Sequence, residues 1–379
     1  MRALLVNTPA SERFRGGDST QMHQTAEGLR ALGVEAYTTT EAEPGARGFD
    51  VAHVFNLRTL EVTGRQVQSL KESGVPIVMS PIYLNPGYPL WATQLIANIF
   101  GQARSAAEID KLLDGLKNHS LQVKKPGGGV LAADTPNRSI PDYDARERAI
   151  LTHIAHLLPN SFIEMNNLVK GLRLCPPPFT VVPYASDAAL FLDPDPEPFV
   201  AKHGITDFIL QVGRIELSKN QLLLAYALRD ADLPLVLIGG NLQAHYLEKV
   251  KKYGPKRLSI IEHLPQEELR SAYAAARVHV LPSWIETCGL TTMEAALANC
   301  SVVVSIAGCE LEYFRDLAYY CNPADVASIR QAVQSAYENH DRDAPRRQQL
   351  KDLILKEYTW TKAAELTKGV YERVVGDGV

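Results

Sequence analysis

A chain of 379 residues, 46% hydrophobic and 22% charged, is ordinary globular material, long enough for two domains and too apolar for disorder. Its 39 basic and 43 acidic residues leave a formal charge of -4, which excludes a broad cationic footprint for nucleic acid. No apolar run is long enough to span a bilayer, Met1 to Asn7 reads as a strand rather than a leader, and the five cysteines form neither a Cys-x-x-Cys pair nor a cluster with histidines, so reduced thiols, no metal and a cytoplasmic location are expected.

After the first strand, Gly16-Gly17-Asp18 leads into a helix over 19–32, where Met22, Ala26, Leu29 and Leu32 recur at helical spacing before Gly33 ends the run. Strands over 34–38, 50–55, 76–80 and 180–184, with helical patterns between them, point to a doubly wound α/β domain over 1–190. His53 lies inside one of these apolar strands and reads as a core histidine. Between Leu84 and Pro159 the alternation lapses into an insertion of that domain, with an amphipathic stretch near 106–116 and the loop Lys124-Lys125-Pro126-Gly127-Gly128-Gly129. Substrate-specific structure is expected there, and its two lysines support at most a weak peripheral contact with the inner face of a membrane.

The run Asp193-Pro194-Asp195-Pro196-Glu197-Pro198 resists both helix and central strand, so it reads as a stiff linker at the domain boundary. Strands over 208–212, 235–238, 258–261, 277–281 and 301–305 then alternate with helices, which predicts a second parallel sheet in a domain over 200–360, followed by a closing helix over 361–379. Two facing domains of this kind would place the carboxyl ends of both sheets around one cleft, where such folds bind ligands.

The stretch Trp284-Ile285-Glu286-Thr287-Cys288-Gly289-Leu290-Thr291-Thr292-Met293-Glu294 places two carboxylates on either side of a helix entry at Gly289. From the helical rise they stand roughly 8–12 Å apart, whereas a retaining glycosidase pair needs about 5 Å. They suit the two ends of a long ligand whose anionic middle rests on the helix N-terminus, the shape of a nucleoside diphosphate sugar. The alternative is a capping box in which Glu294 reaches back to the helix's own amides.

Arg214 ends the first strand of the second domain, and Lys219 falls in the expected first turn of the next helix, with Ser218 and Gln221 as a capping box. A cation there costs roughly 0.3–1 kcal/mol against the helix dipole unless an anion binds it. Arg214 could grip the same diphosphate, the alternative for both being solvated surface side chains. Gly239-Gly240 permit close backbone approach to a base or ribose, or simply make the turn. In the first domain Arg13, Gly16, Gly17 and Asp18 occupy the first strand-to-helix loop, where glycine amides can face a phosphate or sugar, although no Gly-x-Gly-x-x-Gly fingerprint is present.

Val212-Gly213-Arg214 with Ser218-Lys219-Asn220, the Glu-x7-Glu spacing of Glu286 and Glu294, Asn160-Ser161 followed by residues 181–187, and the closing Tyr358-Thr359-Trp360 with its helix, which looks like the tail that crosses back to the first domain, resemble the retaining family 4 glycosyltransferases of the GT-B fold. The resemblance covers nearly the whole chain and implies two facing Rossmann-like domains with the active site in the cleft between them. By it, Arg214 and Lys219 would bind the donor diphosphate, Glu286 the donor sugar and Glu294 the ribose. The Cys288, Gly289, Leu290 and Thr291 amides would face sugar and phosphates. It implies hexosyl transfer with retention, without cofactor or metal ion, from a nucleotide sugar (UDP- or GDP-linked) to a glycan, lipid-linked or small-molecule acceptor, as in polysaccharide biosynthesis. Many relatives carry a histidine after the first-domain strand that here reads Val78-Met79-Ser80-Pro81-Ile82-Tyr83, so either Ser80 or Tyr83 would substitute for it or the sugar would be held differently. A sugar-nucleotide 2-epimerase, which would need a first-domain carboxylate such as Asp18, and a non-catalytic scaffold subunit are the alternatives on the same fold.

Overall fold

The computed structural model describes residues 1–13, 16–85, 87–117, 123–124, 132–133, 141–175, 177–240 and 243–376. Contacts divide the chain into one unit of Met1–Gly87, Asn137–Ser186 and Glu357–Val379 and a second of Tyr88–Pro136 and Asp187–Lys356.

The first unit is built on five parallel strands, β1 (Arg2–Val6), β2 (Glu35–Thr39), β3 (Val51–Phe55), β4 (Ile77–Ser80) and β5 (His156–Leu157), in the order β2-β1-β3-β4-β5. Every residue of β3 and β4 is buried, as a parallel strand covered on both faces requires. The strand order reverses between β1 and β3, which makes the ends of those two strands the natural ligand position of this unit. Helix Gly17–Ala31 stops where Gly33 turns left-handed, with φ 80°. The closing helix Trp360–Gly376 packs on it so tightly that a Cβ on Gly28 would lie 2.6 Å from the Ala364 Cβ. Thus residues 357–376 belong to the first unit's core.

The segment 180–184 is not a strand of this sheet. His156–Leu157 is the fifth strand, and Thr180 and Val182 only donate to the Leu157 and Pro159 carbonyls, at 2.9 and 2.8 Å. Pro178 and Pro183 have no N–H to continue the ladder.

The second unit carries six parallel strands, β6 (Phe208–Val212), β7 (Leu235–Ile238), β8 (Leu258–Ile261), β9 (Ala276–Leu281), β10 (Ser301–Ser305) and β11 (Tyr319–Cys321), in the order β8-β7-β6-β9-β10-β11. This is the doubly wound order with its switch point between β6 and β9.

Three expectations about organisation differ from the structure. The first unit ends at Ser186 rather than near 190. The acid–proline run is in part helical, because helix Glu197–His203 begins directly after Pro196. The insertion expected within the first domain supplies helices Gly87–Gln102 and Ala106–Lys117, whose residues from Tyr88 onward lie in the second unit. Ala92, Ile96, Ile99, Phe100, Ile109 and Leu113 join the cluster of Leu222, Leu223 and Tyr226. The Tyr226 hydroxyl donates to the Ala106 carbonyl (3.1 Å) and to Asp110 (2.9 Å). This cover explains why helix Gln221–Ala227 is buried at every position. Lys124 ends the two-residue strand Val123–Lys124, and Lys125 to Gly129 lie outside the described residues. Among the described residues no helix is long and apolar enough to cross a membrane.

His53 is the satisfied core histidine its strand predicts, 2.8 Å from the Tyr371 hydroxyl and 3.0 Å from the Ser80 hydroxyl. His279 in β9 is different, because it is fully buried and neither ring nitrogen meets a partner among the described residues. Burial pushes both imidazoles down to about 3. Since the ordinary value is about 6.5, the unfolded chain takes up these protons first. The stability from keeping both rings neutral is therefore whole above about pH 6.5 and is lost as pH falls from there toward 3, by about 1.4 kcal/mol per pH unit and histidine. We expect His279→Leu to flatten the acid branch of the stability curve and to raise the melting midpoint by a few degrees, because an unpartnered buried polar group costs about 1–3 kcal/mol. An unchanged acid branch in the Leu variant would show that His279 finds a partner in solution.

Candidate functional site

The carboxyl ends of β6 and β9, on either side of the second unit's switch point, bring together Lys219 and Glu286. After β6 the chain does not enter the next helix as expected. A 3₁₀ turn, Leu217–Lys219, comes first, and Asn220 takes the left-handed conformation, φ 62°, before helix Gln221–Ala227 begins. The Ser218/Gln221 capping box is therefore absent. The Ser218 hydroxyl donates to Glu216 (2.6 Å), and the Gln221 amide donates to the Arg214 carbonyl (2.9 Å). Lys219 thus stands before the helix rather than in its first turn.

The turn is pinned to the loop after β9. The Asn220 side chain donates to the carbonyls of Pro282 (3.0 Å) and Pro323 (2.9 Å), and the Trp284 amide donates to the Ser218 carbonyl (3.0 Å). These bonds hold the Lys219 ammonium against Oε1 of Glu286, which also accepts from the Ser283 hydroxyl at 3.0 Å. The pair is partly screened, with side chains 22% and 11% exposed, so the ammonium is shielded yet reachable.

The loop then turns at Gly289, φ 68°, to enter helix Leu290–Leu297, with no side chain capping its N-terminus. An uncapped helix start at a switch point offers amides and a positive dipole end to an anion. Glu294 does not reach back as a capping box. Its Oε2 accepts from the Tyr273 hydroxyl at 2.8 Å, and burial pushes its carboxyl up to about 7 despite that bond. The Cys288 thiol is buried and held well above the usual range, first by burial and then by Glu286, so it is no nucleophile.

Arg214 is exposed and pairs with Glu216 at 3.2 Å, apart from the Lys219–Glu286 pair. Gly239 and Gly240 close β7 beside the β6 end, where the Gly213 amide donates to the Ile238 carbonyl and the Ile215 amide to the Gly240 carbonyl, both at 2.9 Å. From Gly239 a groove of about 680 Å³ runs along the edge strand β8, lined by Ile215, Leu247, Lys251, Ile260 and Glu262 among others. Sequence reasoning missed this groove, and it missed Ser283, Tyr273 and the buried Glu310 that follows Gly308-Cys309 after β10. The signal available was the rule that strand ends of such sheets carry ligands.

In the first unit, Gly16 and Gly17 are exposed at the start of helix Gly17–Ala31, and the half-buried Asp18 accepts from the Asn56 side chain at 3.1 Å. Arg13 ends a short helix, Ala10–Arg13. Asn56 follows β3 with φ 79°. The expected substitutes for the histidine are placed otherwise. Ser80 is sealed in the core on His53, and Tyr83 is buried with its hydroxyl over Gly171 and its amide donating to Glu164 at 2.5 Å. Neither lies on an open surface.

Comparison with known proteins agrees with this geometry. At 26% identity over 249 residues the chain is similar to the D-inositol 3-phosphate glycosyltransferase of Corynebacterium diphtheriae, covering 59% of this chain and 57% of that protein. At 28% over 203 residues it is similar to the glycogen synthase of Mycobacterium tuberculosis, covering 51% and 48%. The chain thus matches about half the length of these curated relatives. Among solved structures, sucrose-phosphate synthase from Thermosynechococcus elongatus superposes with a TM-score of 0.73 at 15% identity over 100% of both chains. Anabaena HepE in complex with UDP superposes with a TM-score of 0.69 at 12% identity over 98% of this chain and 100% of that one. These neighbours establish the fold as GT-B, with two parallel-sheet α/β units. Residues 197–352, which hold Lys219, Glu286 and Glu294, match the family model of glycosyl transferases group 1.

Proposed function

We propose that this protein transfers a glycosyl group from a nucleoside diphosphate sugar to an acceptor hydroxyl with retention at the anomeric carbon. The observation that carries this reading is the Lys219–Glu286 pair at the switch point, beside the uncapped start of helix Leu290–Leu297. A donor diphosphate laid on that helix start would draw the Lys219 ammonium from Glu286 and free Glu286 to accept from sugar hydroxyls. The groove from Gly239 has the size of a small-ligand site and would take the nucleoside, with Glu294 toward the ribose. As the bond from C1 to the phosphate oxygen breaks, its electron pair goes to the diphosphate, where Lys219 and the helix amides stabilise it. The acceptor hydroxyl adds to the same face and gives up its proton to the departing phosphate oxygen. These groups neutralise the leaving group without a metal ion, and Arg214 would join them on turning from Glu216. HepE has been captured with UDP and with UDP-glucose, which makes uridine nucleotides the first donors to try.

The test incubates the purified protein with UDP-glucose, GDP-mannose and ADP-glucose, each with simple glycoside acceptors and with excess chelator. Nuclear magnetic resonance then reads the anomeric configuration of the product. Retention and full activity under chelation are expected. An inverted product, or activity lost with the metal and restored by it, would sink the mechanism. A new sugar nucleotide formed from donor alone would identify epimerase chemistry instead, and binding without any turnover would identify a scaffold.

A further inference from the structure

Glu310 is a buried carboxyl at this site that the reaction above does not use. It opens helix Glu310–Phe314 after β10, it is fully buried, and among the described residues its carboxyl oxygens accept from no other residue, only from its own backbone amide. A Cβ on Gly308 would lie 2.0 Å from Glu310 Oε2 and 2.8 and 3.0 Å from the backbone O and N of Glu286, so this carboxyl stands directly against the Glu286 backbone. The Cys309 amide donates to the Glu286 carbonyl at 3.1 Å and locks the two loops together.

The groups that face Glu310 are few. Among the described residues the titratable ones are Lys219 from the turn after β6, Glu286 and Cys288 from the loop after β9, and Cys321 from β11, with the Thr292 hydroxyl nearby. Burial holds both thiols protonated. The local charge is thus set by two carboxyls and a single ammonium. A buried carboxylate with no donor beyond its own amide, sharing one ammonium with a second carboxylate, is strongly disfavoured. Burial, and then the Glu286 charge, accordingly raise Glu310 well above the carboxylate range.

We propose that Glu310 is a positioning residue that stays neutral behind Glu286, so that the one ammonium of Lys219 can pass from Glu286 to the donor diphosphate. This inference rests on the donor reading of the site. Were Glu310 charged, two carboxylates would hold Lys219 back and repel the incoming diphosphate. Donor binding adds negative charge beside Glu310 and so strengthens its hold on the proton. Affinity is therefore highest while Glu310 is protonated and falls as rising pH removes the proton from the empty site.

The experiment measures the affinity of the purified protein for UDP-glucose, GDP-mannose and ADP-glucose from pH 6 to 9 by calorimetry, together with KM and kcat where turnover is seen. The diphosphate bridge of these probes carries no titrating proton in that range. Glu310→Gln and Glu310→Met, two neutral replacements of similar volume, are compared with the wild type, and either one suffices if the other does not fold. We expect wild-type affinity to weaken as pH rises, with KM rather than kcat carrying the change, and both variants to vary at least about threefold less across the range than the wild type. Glu294 titrates in the same range but is common to all three proteins, so the difference isolates Glu310. Variants that reproduce the wild-type profile overturn the inference and leave the donor reading intact. A wild type that binds none of the probes at any pH overturns the donor reading and the inference with it.

Discussion

Lys219→Ala is expected to lower kcat/KM by about 10²–10³-fold and to weaken nucleotide sugar binding, because the ammonium is the cation that the structure holds beside the helix start of the proposed diphosphate site. The fold should survive. Gln211 and Trp284 bond the backbone carbonyls of the turn, and Asn220 ties it to Pro282 and Pro323, so none of these contacts needs the Lys219 side chain. Lys219→Ala combined with Glu286→Gln should lose less than the product of the two single losses, since the residues act as a unit. Initial rates and calorimetry decide the point. A folded Lys219→Ala protein with unchanged donor affinity would remove Lys219 from the donor site.

Gly239→Ala is expected to cost about 3 kcal/mol or more, the upper end of overpacking penalties, and to lower the melting midpoint by roughly 6–12 °C. The added Cβ would lie 1.9 Å from the Gly213 carbonyl oxygen and 2.6 Å from its carbon, at a backbone φ of 157°. Neither strand end can step aside, because the Gly213 and Ile215 amides bond the Ile238 and Gly240 carbonyls across this crossing. Gly240→Ala is the control, with nothing among the described residues within 4 Å of its added Cβ, and it should melt within about 1 °C of the wild type. Equal melting of the two variants would show that the β6 and β7 ends are looser than their hydrogen bonds imply.

The difference between these neighbouring glycines marks the limit of reading the chain alone. Sequence pattern identifies two glycines after a strand, whereas only the approach of the β6 end decides which of them is indispensable. The same holds for the carboxylates. Glu286 and Glu294 are visible as a spaced pair, but a capping box and a ligand role remain open for Glu294 until the Tyr273 hydroxyl is seen to occupy it. Arg214 and Lys219 look alike in sequence as anion ligands, yet the pinned turn carries Lys219 to Glu286 while Arg214 stays on Glu216. Glu310 carried no local signal, because its role depends on β10 lying next to β9 in the sheet.

The chain's own pattern determined the doubly wound α/β class, five of the six strands of the second sheet, the core role of His53, and the strand ends at which Lys219 and Glu286 sit. These are local matters: apolar runs of strand length, helical spacing, and glycines where the backbone must turn. Tertiary structure alone decided that the helices Gly87–Gln102 and Ala106–Lys117 cover the second unit's core, that residues 180–184 stay outside the first sheet, and that Ser80 and Tyr83 are sealed inside the first unit. Each of those outcomes depends on which distant surface an apolar stripe, an extended segment or a hydroxyl finds to pack against. Residues close in sequence cannot supply that information, because burial free energy is won from partners far along the chain.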